Sequence, residues 1–317
     1  MSKTTENAPF RTSIGGQALM EGILMRGPKK QAIVCRLESG EMVETVEDLH
    51  PIREKYPILG LPILRGVVAL FSSLSNGMKA LSYSVSLLPE EQQEEPSKLD
   101  LWIEKHFTGE TAQKLMMATA MIMGVGLSLL LFLFLPTFIA GIIPGLRDSF
   151  YARTTLEGIL KLAIFLIYMI LCARVPEIGR VFMYHGAEHK TIFCYENRQE
   201  LTVDNVRVQP RLHPRCGTSF MVVVLIISII AGSFIHTSNM WARMGLKLLI
   251  LPLIIGVTYE LNRWVGGHDD LLIARMLAWP GKQVQRITTS EPDDGMMECA
   301  IRAMELVIPE EEGADAW

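Results

Sequence analysis

The chain is short of cysteine, lacks a leader-like opening, and in two places lacks charge altogether. Five cysteines in 317 residues, an odd number without tight spacing, exclude a disulfide framework as the organising principle. The opening MSKTTENAPFRTS has no apolar core, so no cleaved signal peptide is expected. A formal net charge of only -4 argues against nucleic acid as the main partner. The glycines show no phosphate-loop spacing, and no internal repeat is visible. The most informative absence is that of charged side chains. Lys114 and Arg147 bracket 32 residues without one, and Arg215 and Arg243 bracket 27. A helix needs roughly 20 apolar residues to cross the hydrocarbon core. Both gaps are long enough, and 49% hydrophobic residues with a mean hydropathy of +0.26 agree. The expected partner is therefore a lipid bilayer.

The expected fold is an α-helical polytopic membrane protein of about four transmembrane helices, with a small N-terminal β-rich unit. Residues 1–57 form that unit: QAIVCRLESGEMVETVE reads as two strands about a Ser39-Gly40 turn, and the glycines of GGQALMEGILMRGP predict strands and tight turns. Residues 58–88 read as a membrane-associated hairpin or interfacial helix, with entry into the bilayer left open. Residues 89–113 read as a charged linker and a short amphipathic helix. Residues 114–264 hold the spans, expected over Leu115–Leu135, Leu156–Val175, Phe220–Ile235 and Gly245–Tyr259. Pro136 and Pro252 are expected to kink or end their helices. Lys161 and Lys247 fall inside the weaker spans, where such lysines can snorkel to the interface. Residues 265–317 form a tail with an amphipathic helix capped by Ser290, whose Met297, Ile301, Met304 and Val307 recur at helical spacing. Thirteen Lys/Arg precede the first span and six lie in the 176–218 connection. By the positive-inside rule this places both termini and that loop in the cytoplasm.

Pro176 can end one span and start a helix that carries RVFMYHGAEHKTIFCYE. Spacings of three and four put His185, Glu188 and His189 on one face. Two imidazoles so spaced can reach one tetrahedral ion, Zn²⁺ or another divalent metal. The order H-x-x-E-H matches inverted zincins, in which the carboxylate serves as base. The competing reading is a solvated helix with incidental histidines. HPRCGTSF closes the same loop, and His213 and Cys216 have a spacing compatible with ligation, or are merely turn residues. YELNRWVGGHDD follows the last span. There Glu260, Asn262, Arg263, His268 and Asp269 can support a site, or serve as membrane anchor and helix cap. Glu21 and Arg26 lie in the glycine-rich segment, where Arg26 could grip an anion or be a surface charge. Three of the seven histidines fall in the single 176–218 loop.

With GGQALMEGILMRGP (15–28), YHGAEHKTI (184–192), HPRCGTSF (213–220) and YELNRW (259–264), the sequence resembles the bacterial YqhQ-like membrane proteins. That family has been described as metal-dependent enzymes on motif grounds, with no substrate. The resemblance implies His185, Glu188, His189, His213 and Cys216 as the positions to carry over, in the inner or plasma membrane. Two functions follow. One is a Zn-dependent hydrolase with His185, His189 and His213 or Cys216 as ligands and Glu188 as base. The other is a non-enzymatic scaffold, assembly or transport factor with a structural metal or a polar cluster. A homo-oligomer or a membrane-protein partner stays open. A transporter of ions fits less well, because the spans show ionisable groups only near their ends.

Overall fold

The computed structural model describes residues 10–50, 52–89, 97–145, 149–237, 239–268, 270–311 and 313–317. Most of the charged linker (90–96) and Asp269 lie outside the described residues. Four strands come first: β1 (Gly15–Leu19), β2 (Gly22–Arg26), β3 (Lys30–Arg36) and β4 (Met42–Asp48). The helices follow as α1 (Leu64–Ser86), α2 (Lys98–His106), α3 (Glu110–Ile142), α4 (Phe150–Cys172), α5 (Pro176–Glu196), α6 (Gly217–Gly232), α7 (Met240–Gly267), α8 (Leu272–Thr288) and α9 (Asp294–Glu305). The chain divides into two compact units, one of Met1–Leu61, Ile170–Val222 and Glu260–Trp317, the other of Pro62–Met169 and Val223–Tyr259.

The first unit is built on an antiparallel meander in the order β1-β2-β3-β4. Leu19 pairs with Gly22, so Met20 and Glu21 form a two-residue hairpin loop. Glu21 takes a positive φ of 48°, a conformation uncommon outside glycine and typical of turns. The expected Ser39-Gly40 turn joins β3 to β4, with Gly40 at φ 86°. β2 and β3 bury consecutive residues rather than alternate ones, the pattern of strands covered on both faces. Ile23, Met25, Ala32 and Val34 pack in one core with Tyr184, Ala187 and Ile192 of α5 and Met296, Met297, Ala300 and Met304 of α9. Each such large side chain stabilises the fold by about 1.5–3 kcal/mol. The sheet thus owes its core to two helices remote in sequence. The methionine stripe of the tail is core, as its spacing predicts. Its helix starts later than expected, however. Asp293, not Ser290, is the cap, accepting from the Met296 N–H at 2.9 Å. The Ser290 N–H is committed to the Phe182 carbonyl at 2.9 Å.

The second unit inverts the usual burial. Ile122, Phe71 and Leu249 are exposed, whereas Thr137, Arg153, Glu157, Lys161, Arg243 and Lys247 are buried. Apolar outside and polar inside suits lipid, not water, as the surroundings. Among the described residues three helices, α3, α4 and α7, are long and apolar enough to cross a membrane. α6 is an apolar helix of 16 residues, where a fourth span was expected. α3 runs through Pro136 to Ile142 because a π-helical turn at Leu130–Phe134 precedes the proline and absorbs its missing donor. α7 likewise continues through Pro252. Residues 64–86 form one helix rather than a hairpin. Lys161 and Lys247 do not snorkel: both are under a tenth exposed, held by polar partners inside the unit.

Candidate metal centre

α5 starts at Pro176, after an extended Val175, the placement proline favours at a helix start. Its second half is buried from Tyr184 to Ile192, apart from the half-buried His185. The helical spacing sets His185 and His189 one turn apart, with ring centroids 4.4 Å from each other. Cys216 sits immediately before α6 and caps it. Its carbonyl accepts from the Ser219 and Phe220 N–H groups, and its Sγ accepts from the Thr218 N–H at 3.4 Å. One ligand atom each of His185, His189 and Cys216 lie within 4.8 Å of one another.

The backbone fixes which ring nitrogen each histidine presents. His185 Nδ1 lies 2.9 Å from the Thr288 carbonyl, and His189 Nδ1 lies 2.5 Å from the Arg211 carbonyl. A carbonyl only accepts, so both Nδ1 atoms carry protons and Nε2 is the nitrogen through which each ring would bind a metal. His185 Nε2 points at Cys216 Sγ, 3.1 Å away. His189 Nε2 is buried and has no hydrogen-bond partner. An orphaned buried lone pair is costly, and a cation beside the sulfur would satisfy it. Imidazole Nδ1–H held by a carbonyl is also the usual outer support of a metal-bound histidine. The donor set therefore fits a divalent metal of the zinc type.

Two glycines make this geometry possible. A Cβ on Gly186 would lie 2.0 Å from the Ser290 carbonyl oxygen. Only glycine lets the 288–290 segment lie on α5 and bring the Thr288 carbonyl to His185. A Cβ on Gly16 would stand 2.7 Å from the Leu24 carbonyl oxygen and 3.0 Å from Glu188 Cδ. Its absence lets the Gly16 N–H donate to Glu188 Oε1 at 2.9 Å.

Without a metal the electrostatics are those of a charge pair. Burial pulls the His185 imidazolium down, but the neighbouring Cys216 thiolate outweighs it and lifts the group to about 9. Burial likewise opposes the thiolate, yet His185 and His189 hold the Cys216 thiol well below its ordinary value. A low-pKa thiol is a ready metal ligand. Burial pushes the Glu188 carboxyl up, against the lowering effect of both histidines.

The other expected residues are placed elsewhere. His213 lies outside the three-residue group, its ring centroid 5.5 Å from that of His189. Its Nε2 is 3.6 Å from Glu196 Oε2, and its Nδ1 accepts from the Arg215 N–H at 3.3 Å. Burial pulls its pKa down to about 4. Glu21 binds Arg180 and accepts from the Tyr184 hydroxyl at 3.3 Å, tying the β1–β2 turn to α5. Arg26 ends β2, opposite Gly15 and Gln31. Glu260, Asn262 and Arg263 lie in the last turns of α7, where the Arg263 carbonyl accepts from Trp317 Nε1 at 3.3 Å. His268 is exposed and stacks on Trp264 at 5.0 Å. Sequence reasoning missed three supports. Gln285 is fully buried and bridges the His213 N–H, the His213 carbonyl and Ser219 Oγ at 2.7–2.9 Å. Glu196 accepts from the Thr12 N–H, and Arg215 pairs with Glu196 beneath Trp317. Glu196 and Arg215 lie within quoted stretches but at no ligand spacing, and Gln285 lies outside them; their partners are brought near only by the fold.

Fold and site together describe a membrane-associated protein with a buried His/His/Cys cluster beside a buried carboxylate. Residues 61–310 match the family model "Protein of unknown function (DUF1385)", and the chain belongs to that family. It is similar to "Uncharacterized protein YqhQ" of Bacillus subtilis (strain 168), 30% identical over 299 residues, which cover 93% of this chain and 92% of the relative. The resemblance in the four motifs thus extends over nearly the whole chain. No solved structure matches it.

Proposed function

We propose that the protein is a membrane-embedded metalloenzyme, a Zn²⁺-dependent hydrolase held by His185, His189 and Cys216. The observation that carries this reading is the convergence of two Nε2 atoms and one acidified thiol, one of those nitrogens buried and partnerless. Zinc bound there would supply a Lewis acid and bring the pKa of water towards neutrality. Three protein ligands leave a fourth position open, the mark of a catalytic rather than a structural zinc site. Glu188 is held by the Gly16 N–H through one oxygen and serves as general base. Burial raises its pKa, the direction that makes a carboxylate a stronger base. The 30 Å-scale hydrocarbon crossing is made by α3, α4 and α7, with α6 as the fourth. The Lys/Arg distribution supports a cytoplasmic site and cytoplasmic termini.

Burial of His189, Glu188 and Cys216 favours a second reading, a scaffold or assembly factor in which the same cluster holds a structural metal. Glu188→Gln separates the two. For an enzyme, the purified variant keeps its metal and the cell loses the function. For a scaffold, the metal stays and the change is nearly silent. Protein that binds no metal while folded contradicts both.

A further inference from the structure

The proposed chemistry leaves one face of α8 without a use. Leu272, Ile273, Met276 and Trp279 recur at the spacing of one helical face, and each is between 61% and 72% exposed. The opposite face holds Ala274, Ala278, Gly281, Gln285 and Thr288, all buried. Four large apolar side chains in one patch are out of place against water and mark a surface made for a partner.

The buried face fixes where α8 lies. Ala274 and Ala278 pack on Val265, with Leu261 beside them, and both of those residues belong to the last turns of α7. α7 is long and apolar enough to cross a membrane. It carries no charge from Leu248 to Tyr259, and Glu260 and Arg263 then mark its exit from hydrocarbon. Its 28 residues measure about 42 Å, more than the roughly 30 Å of the hydrocarbon core. The turns that hold Leu261 and Val265 therefore stand at the boundary. Gly281 meets a second apolar helix. A Cβ there would lie 2.5 Å from Ser219 Oγ, in the first turn of α6 and four residues after Arg215. Gln285 Nε2 donates to the same oxygen at 2.9 Å. α8 thus rests on α7 at Ala274 and on α6 at Gly281, each time where an apolar helix meets its flanking charges. A helix seated on two such points runs along the membrane surface.

We propose that α8 is an interfacial helix, with Leu272, Ile273, Met276 and Trp279 inserted among the lipids of the leaflet at which α7 ends. A helix of this kind buries its apolar face about 5–10 Å into the boundary between headgroups and acyl chains. Trp279 takes the place that indole rings favour there, and Trp264 of α7 is exposed at the same level. No acidic side chain occurs between Leu271 and Ser290, so the helix brings no carboxylate of its own to repel anionic headgroups. Lipid is favoured over a second copy of the chain because the patch continues the apolar surface of a span at its exit. The last turn of α8 holds His185 through the Thr288 carbonyl, so the helix seated on lipid also supports the candidate centre. The inference does not rest on a metal at that centre.

The test uses the full-length protein reconstituted in phosphatidylcholine bilayers, plain or brominated near the headgroup end of the acyl chains. The emission lost on Trp279→Phe isolates Trp279 from the other tryptophans. That share should fall severalfold in brominated lipid and stay nearly constant when iodide is added to the water. Met276 is exposed, so Met276→Glu would be silent on a face that looks at water. On lipid it should reverse the pattern, with less quenching by bromine and more by iodide. Quenching of wild-type Trp279 by iodide and not by brominated lipid overturns the proposal. Quenching by neither overturns it too, and assigns the face to a second copy or another protein. If Met276→Glu does not fold, the wild-type comparison decides alone.

Discussion

Gly186 shows how much of the candidate centre depends on single atoms. It separates His185 from Glu188 in the motif, and its missing side chain is what admits the Ser290 carbonyl. Gly186→Ala should therefore push residues 288–290 away from α5. Overpacking of this kind costs about 1–3 kcal/mol. The expected result is a lower thermal midpoint together with weaker metal retention in chelator competition. His213 makes a second prediction. Its folded pKa is about 4 against an ordinary 6.5, so the unfolded chain takes up a proton first on acidification. The stability it contributes is complete above about pH 6.5 and is lost as pH falls towards 4, up to roughly 3 kcal/mol. Glu196, whose pKa is lowered against the pull of burial by His213 and Arg215, loses its own contribution in acid below its usual range. Midpoints of metal-stripped protein measured from pH 7.5 to 4 should show the fall, and His213→Asn should flatten most of it. A flat wild-type profile would mean that His213 is not held neutral by burial.

The helices divide into those whose sequences speak for themselves and those that do not. α3 was legible as a span from its charge-free run alone. The H-x-x-E-H face of α5 was legible from spacing. The partnership of that face with Cys216 could be guessed only from a nearby cysteine, and Thr288 and Arg211 could not be guessed at all, because backbone carbonyls leave no mark on a sequence. Lys161 and Lys247 were misread as snorkelling. The signal was present in the spacing by four of Arg153, Glu157 and Lys161, and of Arg243 and Lys247. It pointed inward because each pair found an opposite or hydroxyl-bearing partner on another helix. α9 carries a capping prediction. Asp293 accepts from the Met296 N–H, and Asp293→Ala should cost about 1 kcal/mol. The loss should appear as a small drop in midpoint without loss of metal, since α9 supports the core and supplies no ligand.

Across the chain, the first unit draws its core from three separated stretches of sequence. The β meander was readable as strands, but its dependence on α5 and α9 was not, since apolar periodicity states that a face is buried and not against what. The centre needs Gly16, α5, the 211–216 turn and the 285–290 segment together. One unit built from such remote pieces is the arrangement expected when the pieces are held for a shared site.

The most direct test is X-ray absorption at the zinc edge on detergent-purified wild-type protein. The account predicts stoichiometric zinc with two nitrogen ligands at about 2.0–2.1 Å, one sulfur at about 2.3 Å and one light donor. The sulfur shell should vanish in Cys216→Ser. A folded protein that takes up no zinc or other divalent metal, or a metal whose spectrum lacks the single sulfur, would contradict it.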